Sequence, residues 1–297
     1  MTAQKNNARL RKRRGLLLLL LALWATVFIT SIILCLKSDS KIFDLTSLGI
    51  MVGAFAIGMA LERLAPAERG QPKRSVALNV GYAFLIQSYT ILQGPLIAIG
   101  TITLLNHFGL GLITLSEKGW LLLPSAAAYL LTMDFMEYLF HRAQHRFPFL
   151  WAMHSFHHSD RAMNITTTFR HFWFERTLHA IAVSLPVALL FKAPPEVLVV
   201  YGLWSWNDYF THMNLRLSLG PFWGVINGPQ YHRIHHSLLP EHWNKNFADH
   251  FPIFDVLFGT HHKPKPGEFP PTGLEEEVHI KFADTLLWPL RSRRKPD

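Results

Sequence analysis

Four long apolar segments occupy the first half of the chain and limit what it can fold into. They are residues 16–36, 45–61, 76–105 and 119–140. A helix needs about 20 apolar residues to cross a hydrocarbon core about 30 Å thick. Inside a bilayer every backbone polar group must be bonded within the protein, which favours helices. The sequence therefore predicts an all-α, polytopic membrane bundle of about four spans.

The charge of the chain supports a membrane location. Of the formal net charge of +9, much lies in two basic ends. These contain Lys5, Arg9, Arg11, Lys12, Arg13 and Arg14 at the front, and Arg291, Arg293, Arg294 and Lys295 at the back. Next to apolar spans, such arms favour anionic lipid headgroups over nucleic acid as the partner. The positive-inside rule places the N-terminus in the cytoplasm, and four crossings return the chain to that side.

The second half of the chain has a different character. Residues 178–210 are apolar but are interrupted by the sequence KAPPE, and Pro194-Pro195 predicts a bend between two short membrane segments. From Asn214 onward no apolar run reaches spanning length, which predicts a cytoplasmic, histidine-rich helical cap. We expect three regions: 1–118 with the basic arm and three spans, 119–264 as the catalytic domain, and 265–297 as a basic tail.

Three histidine motifs indicate a metal site. They are HRAQH (His141, His145), HSFHH (His154, His157, His158) and HRIHH (His232, His235, His236). Histidines at i, i+3 and i+4 share one face of a helix, and neutral imidazole is a common ligand of iron, zinc, copper and nickel. These eight rings exceed the roughly four protein ligands of one metal, so two metals are predicted. Because Cys35 is the single cysteine, a thiolate cluster is excluded.

Further polar residues lie close to these motifs in the sequence. His212 follows the second apolar segment of the bend and is a candidate ninth ligand, with Asp208 one turn before it as a ligand or supporting carboxylate. Asp134 and Glu137 precede His141 on the same helical face, where they are expected to accept hydrogen bonds from ligand histidines. The remaining histidines are expected to support the site or lie at the surface: His171, His250, His179, His261 and His262, with His107 and His279 in solvent.

The order of these motifs resembles the fatty acid hydroxylase and sterol desaturase superfamily of membrane di-iron oxygenases. The resemblance rests on DFMEYLFHRAQH, LWAMHSFHHSDRAMN, THMN, PQYHRIHHS and NKNFADHFPIFDVLFGTH. It implies iron ligation by His141, His145, His154, His157, His158, His212, His232, His235 and His236. Asn246, Asp255 and Phe258-Gly259-Thr260 match the closing signature of the family, which is mainly structural. Asp208 replaces a histidine of some members, and HFWF between Arg170 and Glu175 also departs from the pattern.

The resemblance implies a lipid hydroxylase or desaturase with two iron ions. It would act on a fatty acyl or sterol-type C–H bond with O2 and two electrons. No haem or flavin motif is visible, so the electrons would come from an external carrier, either a small haem protein or a ferredoxin with its reductase. Zinc is a possible substitute for iron in purified protein. Two alternatives stay open from the residues: a dizinc membrane lipid hydrolase, and a non-enzymatic membrane protein that transports metal or binds haem.

Overall fold

The computed structural model describes residues 45–274 and 281–291, together with six isolated positions between residues 15 and 26. The first predicted span, the N-terminal basic arm, Cys35 and His279 lie outside these continuous segments. So do residues 292–297, which hold Arg293, Arg294 and Lys295 of the predicted basic tail.

The described residues are mostly helical, as predicted. In the first part of the chain the helices are α1 (Leu45–Leu64), α2 (Lys73–Phe108), α3 (Leu122–Arg146) and α4 (Pro148–His158), with 3-10 turns at Gly119–Leu121 and Ile165–Phe169. Around the predicted bend lie α5 (Glu175–His179), a π-helical turn Ala180–Ser184, α6 (Leu185–Leu190), α7 (Pro195–Trp204) and α8 (Asn207–Thr211). The last part contains α9 (Pro229–His235), α10 (Ile253–Leu257), α11 (Phe282–Thr285) and α12 (Trp288–Arg291), with 3-10 turns at Gly220–Gly224 and Pro240–His242.

A two-residue parallel β-ladder was not predicted from the sequence. Strand β1 (Ile113–Thr114) pairs with β2 (Phe191–Lys192), which lies immediately before the prolines of the bend. Gly109 and Gly111 have positive φ values of 61° and 87°, and they turn the chain after α2 towards β2. A Cβ at Gly111 would lie 2.7 Å from the side chain of Lys192, so this close approach needs glycine.

Two helical segments in the described part of the chain are long and apolar enough to cross a membrane. They are Lys73–Phe108 and Gly119–Arg146. The first is α2, which remains one continuous helix although it contains Pro95. The second is α3 with its preceding 3-10 turn, and it carries the HRAQH motif at its C-terminal end. The four-span topology and the cytoplasmic cap remain predictions.

Three packed regions attach these helices to the histidine-bearing segments. In one, Tyr82 of α2 packs with Met153 and Phe156 of α4 and with Trp288 of α12. A second region joins α3 to α6 and α7 through Met133, Val187 and Val197. In the third, Leu61 of α1 packs against Ile165, Met213 and Leu215. The first region therefore places α2 against α4, which carries HSFHH, the second places α3, which carries HRAQH, against α6 and α7, and the third places α1 beside Met213, which follows His212.

The close approach of Ile165 and Met213 to α1 depends on a small residue, Gly58. A Cβ at Gly58 would lie 2.6 Å from Ile165 and 2.8 Å from Met213, so a larger side chain there would displace both. One turn later, Glu62 accepts backbone hydrogen bonds from Ile165 and Asn214, each at 2.7 Å. Gly58 and Glu62 thus let α1 support the loop before α5 and the segment after α8.

Candidate metal centre

The structure brings all nine predicted histidines together in two groups. The five-histidine group contains His141, His145, His154, His158 and His235, and the four-histidine group contains His157, His212, His232 and His236. Within each group the imidazole nitrogens that could act as ligands lie within 4.8 Å of one another. All nine residues are buried. The division into two groups matches the two metals predicted from the number of rings.

The two HxxHH motifs each divide their histidines between the groups. In α4, His154 and His158 face the five-histidine group, whereas His157 faces the four-histidine group. In and just after α9 the division is reversed, because His235 joins the five-histidine group while His232 and His236 join the other. Successive residues of a helix are rotated by about 100°, so neighbouring histidines point to opposite sides of a shared face. Two such helices, packed together, therefore build two adjacent ligand sets.

Backbone carbonyl groups fix the orientation of three rings. Nδ1 of His141 donates to the carbonyl oxygen of Phe247, Nδ1 of His235 to that of Lys245, and Nδ1 of His212 to that of Asp208, each at 2.7 Å. A carbonyl oxygen only accepts hydrogen bonds, so these Nδ1 atoms carry the proton in the neutral ring. Each Nε2 atom then keeps its lone pair and faces the interior of its group.

The inward nitrogens are closer to one another than neutral lone pairs favour. Nε2 of His158 lies 3.1 Å from Nε2 of His145 and 3.1 Å from Nε2 of His235. The buried Nε2 atoms of His141 and His154 have no hydrogen-bond partner among the described residues. A cation between these nitrogens would satisfy them together. The five-histidine group therefore fits a metal ion bound by imidazole.

The four-histidine group has the same arrangement. Nε2 of His212 lies 3.1 Å from Nε2 of His157 and 3.0 Å from Nε2 of His232, and His232 and His236 are 3.2 Å apart at Nε2. The nitrogen-only donor set, without thiolates, suits iron, zinc, copper or nickel.

Burial keeps five of the nine rings in the neutral form that binds metal. Desolvation, followed by the neighbouring imidazoles, holds the pKa of His157, His158, His232 and His236 well below 6.5. The pKa of His235 is lowered to about 3, chiefly by the same desolvation. Since a protonated imidazole cannot ligate a metal, these five rings are ready to bind metal at neutral pH.

A buried carboxylate outside the five-histidine group orients one of its rings. Glu175 accepts hydrogen bonds from Nδ1 of His154 at 3.2 Å and from Nε2 of Gln144 at 2.9 Å. Burial raises the pKa of Glu175, but hydrogen bonds from His154 and His171 outweigh burial and lower it to about 2. An ionised carboxylate on the outer nitrogen of a ligand histidine is common in metal sites. In the sequence Glu175 was marked only by the family pattern, since it lies 21 residues from His154.

The predicted supporting residues of α3 have other partners. Asp134 accepts the backbone N–H groups of His250 and Phe251, each at 2.9 Å, instead of a ligand histidine. It precedes His141 by seven residues, about 10 Å along a helix, and so it meets the loop before α10. Glu137 contacts the ring of His179.

The two weaker histidine candidates lie around the groups. The ring of His171 stacks on that of His157 with centroids 4.2 Å apart, and its Nδ1 lies 3.5 Å from Glu175. His250 belongs to neither group, and its ring centroid is 6.5 Å from that of Trp204. Of these two, only His171 touches a predicted ligand.

Asp208 lies on the outer side of the His212 ring. Its Oδ1 is 3.1 Å from Nδ1 of His212, the nitrogen that also donates to the Asp208 carbonyl. Since the metal-facing nitrogen of His212 is Nε2, the carboxylate is placed to orient the ring and not to bridge two metals.

The closing signature forms a hydrogen-bonded support for this region. Asp255 accepts the backbone N–H groups of Phe247 and Ala248, each at 2.8 Å, and the hydroxyl of Thr260 at 2.7 Å. Asn246 has a positive φ of 60° and accepts the N–H of His262 at 2.6 Å. These contacts fix Phe247, whose carbonyl orients His141. The signature therefore has a structural part in the site.

Comparison with known proteins agrees with this geometry. Residues 126–260 match the model of the fatty acid hydroxylase family. The chain is 33% identical over 162 residues to an alkylglycerol monooxygenase of Caenorhabditis elegans, covering 52% of this chain and 31% of that protein. It is 28% identical over 263 residues to the ornithine lipid hydroxylase OlsE of Rhizobium tropici, covering 83% of this chain and 76% of that protein.

A third relative is a cholesterol 25-hydroxylase-like protein of Danio rerio, 29% identical over 143 residues, covering 46% of this chain and 55% of that protein. No solved structure is significantly similar to this chain. The family resemblance predicted from the histidine motifs is thereby confirmed.

Proposed function

We propose, from the match of residues 126–260 to the fatty acid hydroxylase family, that this chain is a membrane-bound di-iron oxygenase that hydroxylates a lipid C–H bond. The overall reaction converts the lipid, O2, two electrons and two protons into the hydroxylated lipid and water. Residues 119–264 would form the catalytic domain.

The observation that carries this proposal is the convergence of nine imidazoles in two groups. The proposed ligands of one iron are His141, His145, His154, His158 and His235, and those of the other are His157, His212, His232 and His236. An unactivated C–H bond needs an oxidant that side chains cannot supply, and two bound iron ions would provide dioxygen activation. This requirement favours iron over zinc.

Residues of this chain orient the ligand rings of the centre and exclude water from it. Carbonyl groups of Lys245, Phe247 and Asp208 keep three rings oriented. On the five-histidine side, the rings of Trp151 and Phe247 pack 4.9 Å and 5.1 Å from the ring of His145. Such apolar cover excludes water, which protects a reactive oxidant from side reactions.

A lipid substrate is supported by the relatives and by the position of the centre. The three relatives reported above are named as hydroxylases or monooxygenases, two of them of alkylglycerol and ornithine lipid, which favours hydroxylation over desaturation here. His141 and His145 lie in the last two turns of a segment long and apolar enough to span a membrane. An alkyl chain in the bilayer would therefore approach the centre along α3. We propose a multi-pass protein with its N-terminus and centre on the cytoplasmic side, supplied by an external electron carrier.

Neither alternative function gains support from the site. A dizinc hydrolase normally uses a bridging carboxylate, and Asp208 lies on the Nδ1 side of His212. A transporter would need polar or ionisable residues along its spans, whereas residues 76–105 contain no charged side chain.

The test is lipid profiling of a bacterial host that expresses the full chain, grown under isotopically labelled O2. We expect a lipid that gains one labelled oxygen atom, only in the presence of oxygen and reductant. His235→Ala should abolish the product and lower bound iron, while His107→Ala, at an exposed position of α2, should do neither. Full turnover by the His235 variant, or product formation without oxygen, would contradict the proposal.

A further inference from the structure

A third group of potential ligands lies outside the nine-histidine centre. It consists of His242, His262 and Glu268. The Nε2 atoms of His242 and His262 each lie 3.4 Å from the same carboxylate oxygen, Oε1 of Glu268. The two rings are 4.7 Å apart with an interplanar angle of 70°. Three donor atoms from two separate segments thus point at one place.

The distances fit a shared metal better than direct hydrogen bonds. A charge-assisted N–H···O bond is usually about 2.7 to 2.9 Å long, and 3.4 Å is clearly longer. Two ligands that are each about 2.1 Å from a tetrahedral zinc ion are about 3.4 Å apart. The observed separations are therefore those of neighbouring corners of a zinc coordination tetrahedron.

Outer contacts hold two of the three ligands in place. Nδ1 of His242 lies 2.9 Å from the hydroxyl of Ser237, which also accepts the backbone N–H of Leu239 at 3.0 Å. The second carboxylate oxygen of Glu268 accepts the N–H of Lys265 at 2.7 Å. The contact of His242 occupies the nitrogen that points away from the shared centre, as in other metal sites, whereas Oε2 of Glu268 also lies 3.4 Å from Nε2 of His262.

We propose that His242, His262 and Glu268 bind one Zn²⁺ ion, with water in the fourth position. His242 is buried, while the side chains of His262 and Glu268 are 21% and 17% exposed, which leaves an approach for water. Two imidazoles and one carboxylate are a common protein ligand set for zinc. This site is separate from the nine-histidine centre, and its occupancy does not depend on the proposed oxygenase reaction.

The proposed zinc would fasten a loop against the helix that carries HRIHH. Gln230 of α9 donates to the carbonyl oxygens of Lys265 and Glu268 at 2.8 Å and 3.0 Å. Arg233 of the same helix donates to the carbonyl of Pro270 at 2.8 Å. A metal ion bound by both His242 and Glu268 would also tie this loop to the segment that follows α9. The proposed ion would therefore stabilise the position of this loop.

The first experiment compares metal content in the full-length protein in detergent. After loading with iron and then zinc, followed by removal of weakly bound metal, we expect the wild type to retain one zinc ion more than Glu268→Gln or His262→Gln, with equal iron. His261→Gln is the matched control, because it changes the neighbouring exposed histidine. Equal zinc in the wild type and both variants would overturn the proposal.

A second experiment retains a metal ligand and does not rely on loss of binding. His262→Cys, loaded with Co²⁺, should gain a sulfur-to-cobalt charge-transfer absorption that the wild type lacks. His261→Cys should show no such absorption. Absence of this absorption in His262→Cys would overturn the assignment even if the Glu268 variant failed to fold.

Discussion

The carboxylate of Glu175 lies 3.2 Å from Nδ1 of His154, on the opposite side of that ring from the Nε2 atom that faces the five-histidine group. This pairing holds the proton of His154 on Nδ1, so that the lone pair of Nε2 is free to bind a metal.

We expect Glu175→Gln to weaken metal binding at the five-histidine group by about 10- to 100-fold. The amide keeps the size of the side chain but removes the charge that polarises His154. Iron per chain, measured after dialysis against a graded series of chelator concentrations, tests this. Glu117→Gln is the control, because Glu117 lies at an exposed position before α3. Equal iron retention by the Glu175 variant and the wild type would count against an orienting role.

We expect Asp208→Asn to retain the metals of both groups and to lose at most about tenfold in activity. The backbone carbonyl of Asp208 still orients His212 in this variant, because it already accepts from Nδ1 at 2.7 Å. Metal analysis and turnover on the same preparation separate the two effects. Loss of one metal would instead identify Asp208 as a ligand and revive the hydrolase alternative.

We expect the metal-free protein to lose stability as the pH falls below about 6.5. Burial lowers the pKa of His157, His158, His232 and His236 in the folded state. The unfolded chain therefore takes up protons near pH 6.5 that the folded chain refuses, and each such histidine contributes up to about 1.4 kcal/mol per pH unit. This loss of stability continues down to about pH 3, which is the pKa of His235 in the folded protein.

Thermal unfolding of the iron-free protein at a series of pH values tests this dependence. The midpoint temperature of unfolding should change little above about pH 7, which is roughly half a pH unit above the ordinary histidine pKa. Below that pH the midpoint temperature should fall steadily. His232→Gln should reduce the slope by about one proton. A midpoint that rises on acidification would show that the rings gain protons on folding.

A buried ion pair between Asp160 and Arg170 is expected to stabilise the junction of α2 with the centre. Asp160 accepts hydrogen bonds from Ser75, Asn79 and Thr167 at 2.7 to 2.8 Å, and its Oδ1 is 3.7 Å from Nη1 of Arg170. Asp160→Asn should lower the free energy of unfolding by about 3 kcal/mol, because it leaves the guanidinium buried without its counter-charge.

A double-variant cycle checks that the loss comes from the pair. Asp160→Asn combined with Arg170→Met should cost less than the sum of the two single changes, since removal of both charges leaves neither one unpaired. Chemical unfolding in detergent provides the free energies. Additive losses would mean that the two side chains act independently.

Local sequence patterns were sufficient to predict a mostly helical fold and to select the nine histidines that lie together in the structure. Spacings of three and four residues place each histidine motif on one helical face, and this depends only on helix geometry. The long apolar runs 76–105 and 119–140 likewise predicted the two segments that are long and apolar enough to span a membrane. The family was recognisable from the order of the motifs, which the match over residues 126–260 confirmed.

The sequence could not predict which histidines share a group or what holds each ring. His157 and His158 are adjacent in the chain, yet they belong to different groups, because two helices must pack before the sides of each face are defined. The carbonyls of Lys245 and Phe247 orient two rings, but a backbone carbonyl is present at every residue and gives no sequence signal.

Asp134 shows the same limit of prediction from sequence, because here a local pattern suggested a partner that differs from the observed ones. Helical spacing placed it on the face of His141, whereas its partners are backbone N–H groups 116 and 117 residues away. His242, His262 and Glu268 also meet only after the loop following α9 folds back. Short-range helix geometry is encoded within a few residues and can be read directly from the sequence. Contacts between distant segments depend on how those helices pack, and only the tertiary structure decides them.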